Sequence, residues 1–394
     1  MSKNNKNSVL KSILASILGL IVGLGVCAVL FIFVLLPDTY EIPKTHAVTS
    51  SSTIGGEIDV EEIKSKELSI HFLELGNKYT GDCTFIDVGN VEILIDAGSR
   101  ANSVPTIKSY IDRYVDGALD YVIVTHAHRD HYAGFATSDS VFDYYTINTI
   151  IEFANTKQNK TKGLYKKYLE EKEQLVEKCG TNIYTALECV NGENGAEREY
   201  DLGNDVKLQI LYQEFYERAD APSENDYSVC CQIVQDNSKY YLFTGDLEEE
   251  GEYSLVHSDK NAGMMHQVER YELYKAGHHG SKTSSSSELL AAIKPKNICV
   301  CCCAGSSEYT SKNENQFPTQ QFIDRIAEYT RNVFVTSLCI DYSKGEYTSM
   351  NGNIVVSCNK TDENVTINCE NNSTLLMDTQ WFKDNREMPE AWKT

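Results

Sequence analysis

Three histidines and one aspartate fall within six residues, directly after a short apolar segment. Residues 121–124 are predicted to form a buried strand, which leads into His126, His128, Asp130 and His131. Burying so many polar groups in one turn is costly unless a cation satisfies their lone pairs. Neutral imidazole nitrogens and hard carboxylate oxygens together suit zinc, manganese or iron. The run therefore predicts a metal centre at the end of a strand.

Two later segments carry the same kinds of group in the same kind of place. Residues 240–243 are predicted to form a strand that is followed by Asp246, and residues 273–276 a strand that is followed by His278 and His279. A glycine stands next to the aspartate and next to the histidine pair. Because loops at strand ends often assemble one site, we expect these groups to join the histidine run.

The order of strands and helices along the chain indicates an α/β fold class. Apolar residues with a period of two predict strands, and a period near 3.6 predicts helices. Strands in runs, interrupted by helices, favour two packed sheets with helices outside. The predicted strands are residues 68–73, 83–88, 91–95, 121–124, 206–212, 229–235, 240–243, 273–276 and 297–303, and the predicted helices are residues 107–115, 164–179, 288–293 and 319–329.

The N-terminal part of the chain predicts a membrane anchor. Residues 13–36 carry no charged side chain, and as one helix they would span about 36 Å, more than the roughly 30 Å of a hydrocarbon core. Lys3, Lys6 and Lys11 precede the run, so residues 1–12 are expected in the cytoplasm and the domain that follows the run outside it. We therefore expect a single-pass protein of the cell membrane, embedded in the lipid bilayer through residues 13–36. Small residues at every fourth position allow a homodimer through the anchor helix: Ala15, Gly19 and Gly23.

The rest of the chain is divided by its composition. Residues 37–67 are polar, contain serine and glycine clusters and show no apolar period, so we expect a flexible stalk. One domain is predicted over residues 68–357, in which residues 137–200 form an insertion that shapes or covers the site. Residues 358–394 are predicted to be a C-terminal extension that packs on the domain.

Most of the 13 cysteines stand where a buried strand needs a small apolar residue. Cys230 and Cys231 are adjacent, as are the cysteines at 301–303. Successive strand residues point to opposite faces and are poorly placed to pair, so we expect small apolar residues of the core. Cys358 and Cys369 are a candidate bridge across a hairpin.

The order of the motifs resembles the metallo-β-lactamase superfamily. Within it, the chain most resembles the extracytoplasmic hydrolase domains of ComEC-type competence proteins, over about residues 68–357. The resemblance implies an αββα sandwich with two divalent metal ions, zinc or manganese, between the loop ends of the two sheets. It is carried by Asp96, the run from His126 to His131, Asp246 and His278, and by the segments 81–82, 225–228, 244–252 and 275–284.

The resemblance also implies how the ligands divide between the two ions. The implied ligands are His126 and His128 for the first ion, Asp130, His131 and His278 for the second, and Asp246 as the bridge. Asp96 would steady a ligand histidine from outside the metal shell. Asn225 and Ser228 stand where fully equipped members supply a further histidine. They would therefore support a ligand from outside the metal shell or act as weak ligands, and the first ion would bind less tightly.

Two adjacent ions would lower the pKa of a shared water and orient it for in-line attack. Asp130 would accept the proton of this water. His279 would protonate the leaving group, or would support a ligand from outside the shell. Lys275, Ser281 and Lys282 would receive an anionic group, unless they belong to a solvated loop.

These residues favour a metal-dependent hydrolase, with a phosphodiester of nucleic acid or of the cell envelope as substrate. Hydrolysis of esters, thioesters or amides is the alternative enzyme reaction. A non-catalytic surface module that metals stabilise is the alternative of another class. The formal net charge of −21 argues against avid, non-specific binding to nucleic acid, yet allows a small basic pocket for one phosphate.

Overall fold

The computed structural model describes residues 52–55, 58–76 and 81–393. The predicted anchor at residues 13–36, and any homodimer through it, lie outside this part of the chain. Within the described residues, no helix is long and apolar enough to cross a membrane.

Two β-sheets form the centre of the fold. In chain order the strands are β1 (Thr53–Ile54), β2 (Leu68–Phe72), β3 (Thr84–Asp87), β4 (Glu92–Ile95), β5 (Ala118–Val124), β6 (Thr146–Glu152), β7 (Asn182–Thr185), β8 (Glu199–Gly203), β9 (Val206–Leu211), β10 (Cys230–Gln235), β11 (Lys239–Phe243), β12 (Leu273–Lys275), β13 (Asn297–Ala304), β14 (Val333–Asp341), β15 (Glu346–Ser349), β16 (Ile354–Cys358) and β17 (Thr366–Cys369). Among the described residues the first sheet has the order β1-β17-β16-β2-β3-β4-β5-β6-β7 and the second β15-β14-β13-β12-β11-β10-β9-β8. The sheets face each other, since the rings of Phe72 and Phe243 stack with centroids 6.4 Å apart.

Helices cover the outer faces of both sheets. They are α1 (Val60–Lys64), α2 (Ser103–Ile111), α3 (Arg129–Tyr132), α4 (Gly163–Cys179), α5 (Ala186–Asn191), α6 (Glu249–His257), α7 (Ser287–Ile293), α8 (Gln320–Ile326) and α9 (Gln380–Asn385). One apolar cluster includes residues of both sheets together with α2 and α4. A second cluster joins the other face of the second sheet to α6, α7, α8 and α9. The layers are therefore those of the expected αββα sandwich.

The side-chain alternation of β13 shows how the sequence forms this core. Cys299 and Cys301 belong to the cluster between the sheets, whereas Val300 and Cys302 belong to the cluster under the outer helices. Both faces of the strand are buried, which is why apolar residues, most of them small, occupy positions 298–304. The described cysteines are all free, and those of β13 are buried, so the expectation of small core residues is confirmed for this strand.

The candidate bridge between Cys358 and Cys369 does not form. Both thiols are free. β16 and β17 are antiparallel, but Cys369 stands opposite Ile354, and Cys358 stands opposite Leu68 of β2. The register therefore keeps the two cysteines apart.

The predicted stalk, residues 37–67, is wrong for residues 58–67. The side chain of Asp59 accepts hydrogen bonds from the backbone N–H groups of Glu61 and Glu62, which starts α1. Ile63 is only 2% exposed and packs into the core. The composition of this segment is polar, but one N-cap and one apolar anchor are enough to attach a short helix to the domain.

Two further boundaries need correction. Residues 137–200 were predicted to be an insertion, but within them β6 and β7 extend the first sheet in parallel beyond β5, and α4 packs on β6. The domain also does not end at residue 357, because β17 is part of the first sheet and the side chains of Trp381, Phe382 and Trp392 belong to the second apolar cluster. β6 escaped prediction because exposed Thr146 and Asn148 interrupt its apolar residues.

Candidate metal centre

The predicted metal ligands lie on loops that follow β5, β11 and β12. β5 belongs to the first sheet, and β11 and β12 are neighbours in the second. The turn after β11 requires glycine, because Gly245 has a φ of +55° and a Cβ there would lie 2.8 Å from Ser228 Oγ and 2.9 Å from Thr125 Cβ. This close approach brings the loop after β11 against the loop after β5.

Four imidazole rings surround one oxygen of the Asp246 carboxylate. The distance from Asp246 Oδ2 to Nε2 is 3.2 Å for His131, 3.5 Å for His279, 3.9 Å for His126 and 4.0 Å for His278. Tetrahedral ligands at about 2.1 Å from an ion stand roughly 3.4 Å apart, so these spacings suit atoms that share a cation. Asp246 Oδ1 is buried and has no hydrogen-bond partner among the described residues. A cation would satisfy this oxygen, so the donor set fits a divalent metal.

His126 and His128 form the half of the cluster that was predicted to hold the first ion. His126 Nε2 lies 3.1 Å from His128 Nδ1, and the His126 side chain is fully buried. Burial, reinforced by His131, holds the pKa of His126 well below its usual range, so this ring is neutral. A neutral ring has a nitrogen lone pair available for a metal.

His279 lies deeper than the sequence suggested. Its side chain is 1% exposed, and Nδ1–H donates to the carbonyl oxygen of Cys301 at 2.9 Å. In the neutral ring this bond leaves Nε2 without a proton, 3.3 Å from Asp130 Oδ2 and 3.5 Å from Asp246 Oδ2. His279 is therefore a candidate ligand beside Asp130, and its expected role as leaving-group acid stays a prediction.

The carboxylates around the cluster favour protonation of two rings in the metal-free protein. Burial by itself lowers the pKa of His131 and of His279, but nearby carboxylates outweigh it and raise both pKa values well above the usual range. Asp246 and Asp96 act on His131, and Asp82 and Asp246 act on His279. Because a metal binds neutral imidazole, these protons would be released on metal binding.

Asp96 lies behind His131, where the resemblance placed it. Its Oδ2 is 2.7 Å from His131 Nδ1. Thr125 donates to the same carboxylate twice, from N–H to Oδ1 at 2.8 Å and from Oγ1–H to Oδ2 at 2.7 Å. This arrangement turns His131 Nε2 toward Asp246, as a supporting carboxylate does in many metal sites.

Asn225 and Ser228 were predicted to support a ligand from outside the metal shell or to be weak ligands of the first ion. Ser228 Oγ accepts a hydrogen bond from the backbone N–H of Asp246 at 3.0 Å, so Ser228 positions the Asp246 loop. Asn225 Oδ1 is buried and has no hydrogen-bond partner within the described part of the chain. Asn225 Nδ2 donates to Glu248 Oε1 at 3.0 Å and lies 3.5 Å from His278 Nδ1. Asn225 thus remains a candidate weak ligand, but it lies next to His278, which was predicted to hold the second ion rather than the first.

The three residues expected to receive an anionic group are engaged elsewhere. Lys275 is 3% exposed and forms an ion pair with Asp82, because it is the last residue of a buried strand rather than part of a loop. Ser281 is buried, and its hydroxyl lies 3.1 Å from Thr283 Oγ1. Lys282 is exposed, and its ammonium donates to a loop asparagine at 2.9 Å.

Asp82 is a member of the cluster to which the sequence assigned no role. Four buried residues have ligand atoms within 4.8 Å of one another: Asp82, His131, Asp246 and His279. The backbone N–H of Asp82 donates to the carbonyl oxygen of Asp130 at 3.0 Å. A Cβ on Gly81, whose φ is +68°, would come within 1.9 Å of that oxygen. A glycine–aspartate pair ahead of a buried strand was the signal available in the sequence.

Comparison with known proteins agrees with this geometry. Residues 76–187 match the family model described as the metallo-β-lactamase superfamily, a segment that contains the histidine run after β5. The chain carries a metallo-β-lactamase domain. The Asp246 and His278 loops lie beyond the matched segment and complete the buried cluster of this domain.

One relative is similar over part of the chain. ComE operon protein 3 of Bacillus subtilis (strain 168) is 25% identical over 183 residues. The match covers 46% of this chain and 20% of that protein, so the chain spans about one fifth of the relative's length.

Two solved structures are similar over part of the chain. The metallo-β-lactamase fold protein YhfI from Bacillus subtilis has a TM-score of 0.38 and 10% identity, with 68% of this chain and 95% of that chain covered. CmlA, a diiron β-hydroxylase from Streptomyces venezuelae, has a TM-score of 0.34 and 12% identity, with 71% of this chain and 49% of that chain covered.

Proposed function

We propose that the chain is a metal-dependent phosphodiesterase, anchored in the cell membrane with its catalytic domain on the extracytoplasmic side. The observation that carries the proposal is the convergence of four imidazole nitrogens on the buried Asp246 carboxylate. The expected cofactors are two divalent ions, zinc or manganese. When bound, they would activate a water and neutralise charge on phosphoryl oxygens. The substrate would be nucleic acid or a phosphodiester of the cell envelope.

The thiols near the cluster are not suited to nucleophilic catalysis. Cys301 and Cys302 lie on β13 and are buried. Burial raises the pKa of Cys302 to about 12 and the pKa of Cys301 well above its usual range. Neither is a thiolate at neutral pH, and only the thiolate attacks. We therefore favour direct attack by water over a covalent intermediate.

Asp130 is the residue that we expect to orient the attacking water. Its side chain is 16% exposed, whereas Asp246 is 2% exposed and His279 1% exposed. Asp130 is thus the carboxylate of the cluster that lies nearest to solvent, where a water and a substrate can both reach it. A carboxylate in this place can accept the hydrogen bond, and then the proton, of the water.

A substrate panel tests the reaction class. The full-length protein, stripped of metal and reloaded with Mn²⁺ or Zn²⁺, should hydrolyse bis(p-nitrophenyl) phosphate faster than a chromogenic thioester or a cephalosporin. Faster thioester or cephalosporin turnover would replace the phosphodiesterase proposal with hydrolysis of that class. Tight metal binding without turnover of any of the three would favour the non-catalytic module.

One variant tests the site. Asp246→Asn should lower turnover by more than about 100-fold, because losing even an outer partner of a metal ligand costs roughly 10- to 100-fold. The matched control is Asp201→Asn, because Asp201 is an exposed aspartate of β8 whose hydrogen-bond donor, among the described residues, is the local N–H of Gly203 at 2.9 Å. Near wild-type turnover and metal content in Asp246→Asn would contradict the assignment of Asp246 to the metal site.

The membrane location rests on residues 13–36 and the three lysines before them, which precede the described residues. Protease added to intact spheroplasts should remove the metallo-β-lactamase domain and leave the N-terminus protected. Full protection of the residues beyond position 36 would contradict the extracytoplasmic location.

A further inference from the structure

One tyrosine outside the predicted ligand set reaches the metal cluster. Tyr309 lies in the loop between β13 and α8. Its ring stacks on His279, with centroids 5.8 Å apart and an interplanar angle of 18°. Phe317 contacts both rings, at 5.2 Å from Tyr309 and 5.8 Å from His279. The cavity next to these three rings measures only about 10 Å³, so the Tyr309 ring has little room to turn inward.

The hydroxyl of Tyr309 points at the cluster while its ring borders solvent. Tyr309 Oη–H donates to Asp130 Oδ2 at 2.7 Å, and this oxygen is 3.3 Å from His279 Nε2. The residue as a whole is 46% exposed. Tyr309 therefore stands at the mouth of the site, between the solvent from which a substrate arrives and the carboxylate that faces it.

Other donors near the cluster are already engaged. Lys275 is paired with buried Asp82, the ammonium of Lys282 donates to a loop asparagine, and Asn225 Nδ2 donates to Glu248. The partner of Tyr309, in contrast, is Asp130, the carboxylate that a cation or water would also contact. An ion bound by Asp130 would compete with the Tyr309 hydroxyl for Oδ2. The O–H group of Tyr309 would then be available to an oxygen of a substrate bound beside Asp130.

We propose that Tyr309 is a further catalytic residue, whose Oη–H donates a hydrogen bond to a phosphoryl oxygen of the substrate next to Asp130. This inference rests on the proposed phosphodiesterase function. Its physical basis is a preorganised donor, held by two aromatic contacts, at a place where negative charge develops during attack on phosphorus. Losing one hydrogen bond to a charged group costs about 10- to 100-fold in affinity or rate.

The test is Tyr309→Phe in the full-length, Mn²⁺-loaded protein. The ring contacts to His279 and Phe317 are retained, so only the hydroxyl is removed. We expect kcat/KM for bis(p-nitrophenyl) phosphate to fall about 10- to 100-fold. We also expect the calorimetric affinity for inorganic phosphate to fall by a similar factor, with unchanged affinity for Mn²⁺. The matched control is Tyr144→Phe, because Tyr144 is also exposed and its hydroxyl donates to Asp139 Oδ1 at 2.5 Å, outside the cluster.

Two results would overturn the inference. Weaker Mn²⁺ binding, with kcat/KM and phosphate affinity restored at saturating Mn²⁺, would mean that Tyr309 only positions Asp130. Unchanged phosphate affinity and kcat/KM would mean that the hydroxyl does not contact the substrate. The phosphate titration measures how much the Tyr309 hydroxyl contributes to phosphate affinity, even if the wild-type protein does not hydrolyse phosphodiesters. Failure of this inference is therefore distinct from failure of the proposed function.

Discussion

Replacing Lys275 by methionine removes the positive half of a buried ion pair and keeps a side chain of similar length. The side chains of Lys275 and Asp82 are 4% and 3% exposed, and Lys275 ends β12 directly beneath the metal cluster. The lysine ammonium and the carboxylate are close enough to form a direct pair. The variant therefore leaves Asp82 with a charge that water cannot reach.

The size of the effect follows from what remains around Asp82. Removing one partner of a buried pair costs about 3–5 kcal/mol, because the other charge stays buried and uncompensated. His279 Nδ1 lies 3.1 Å from Asp82 Oδ1, close enough to compensate part of the carboxylate charge. We therefore expect the lower end, about 3 kcal/mol of unfolding free energy. With an m-value of about 3 kcal/mol/M, the urea midpoint should fall by roughly 1 M.

The assay is urea unfolding of the full-length protein in EDTA, so that metal binding does not contribute to stability. The double variant Asp82→Asn/Lys275→Met should recover most of the loss, because neither charge then remains buried. An unfolding free energy of Lys275→Met within about 0.5 kcal/mol of wild type would show that Asp82 does not depend on Lys275 for charge compensation. No recovery in the double variant would show that the loss comes from packing rather than from charge.

Three further predictions concern the backbone, pH and metals. Gly81→Ala should cost at least about 2 kcal/mol more than Gly117→Ala in urea unfolding, because both glycines have positive φ but only at Gly81 would a Cβ collide with the Asp130 carbonyl. Burial raises the pKa of Glu252 to about 7, so between pH 4.5 and 7 the folded state holds a proton that the unfolded state has lost. The free energy of unfolding should therefore fall by up to about 3 kcal/mol over this range. Glu252→Gln should flatten this pH dependence, and an unchanged pH dependence in the variant would contradict the prediction. Calorimetric titration with Zn²⁺ should show one tight site and one weaker site, and we expect the weaker site near His128. Two sites of equal affinity would exclude this asymmetry.

Local patterns predicted much of the fold. The hairpin of β3 and β4 follows from Gly89 and Asn90 between two apolar runs, and the two strands pair as expected. α4 ends at Gly180, which adopts a left-handed conformation with a φ of +70°. These features were predictable because the residues that decide them lie within a few positions of one another.

Elements that depend on distant partners were not predictable. β1 is only two residues long and forms because β17, from the other end of the domain, lies beside it. β15 is mostly exposed and pairs with β14 rather than following an apolar pattern of its own. Such strands are stabilised by the neighbour and not by their own composition, so their sequences carry little signal.

The same distinction between local and distant determinants applies to the candidate metal centre. The kinds of ligand and their places at strand ends could be read from the sequence, since the polar run after β5 has no inexpensive buried state without a cation. Three contacts became evident only in the folded chain: His279 points Nε2 at Asp130, Lys275 pairs with Asp82, and Tyr309 reaches the cluster. They could not be predicted because a side chain's role depends on which atoms it contacts, and these atoms come from loops of both sheets.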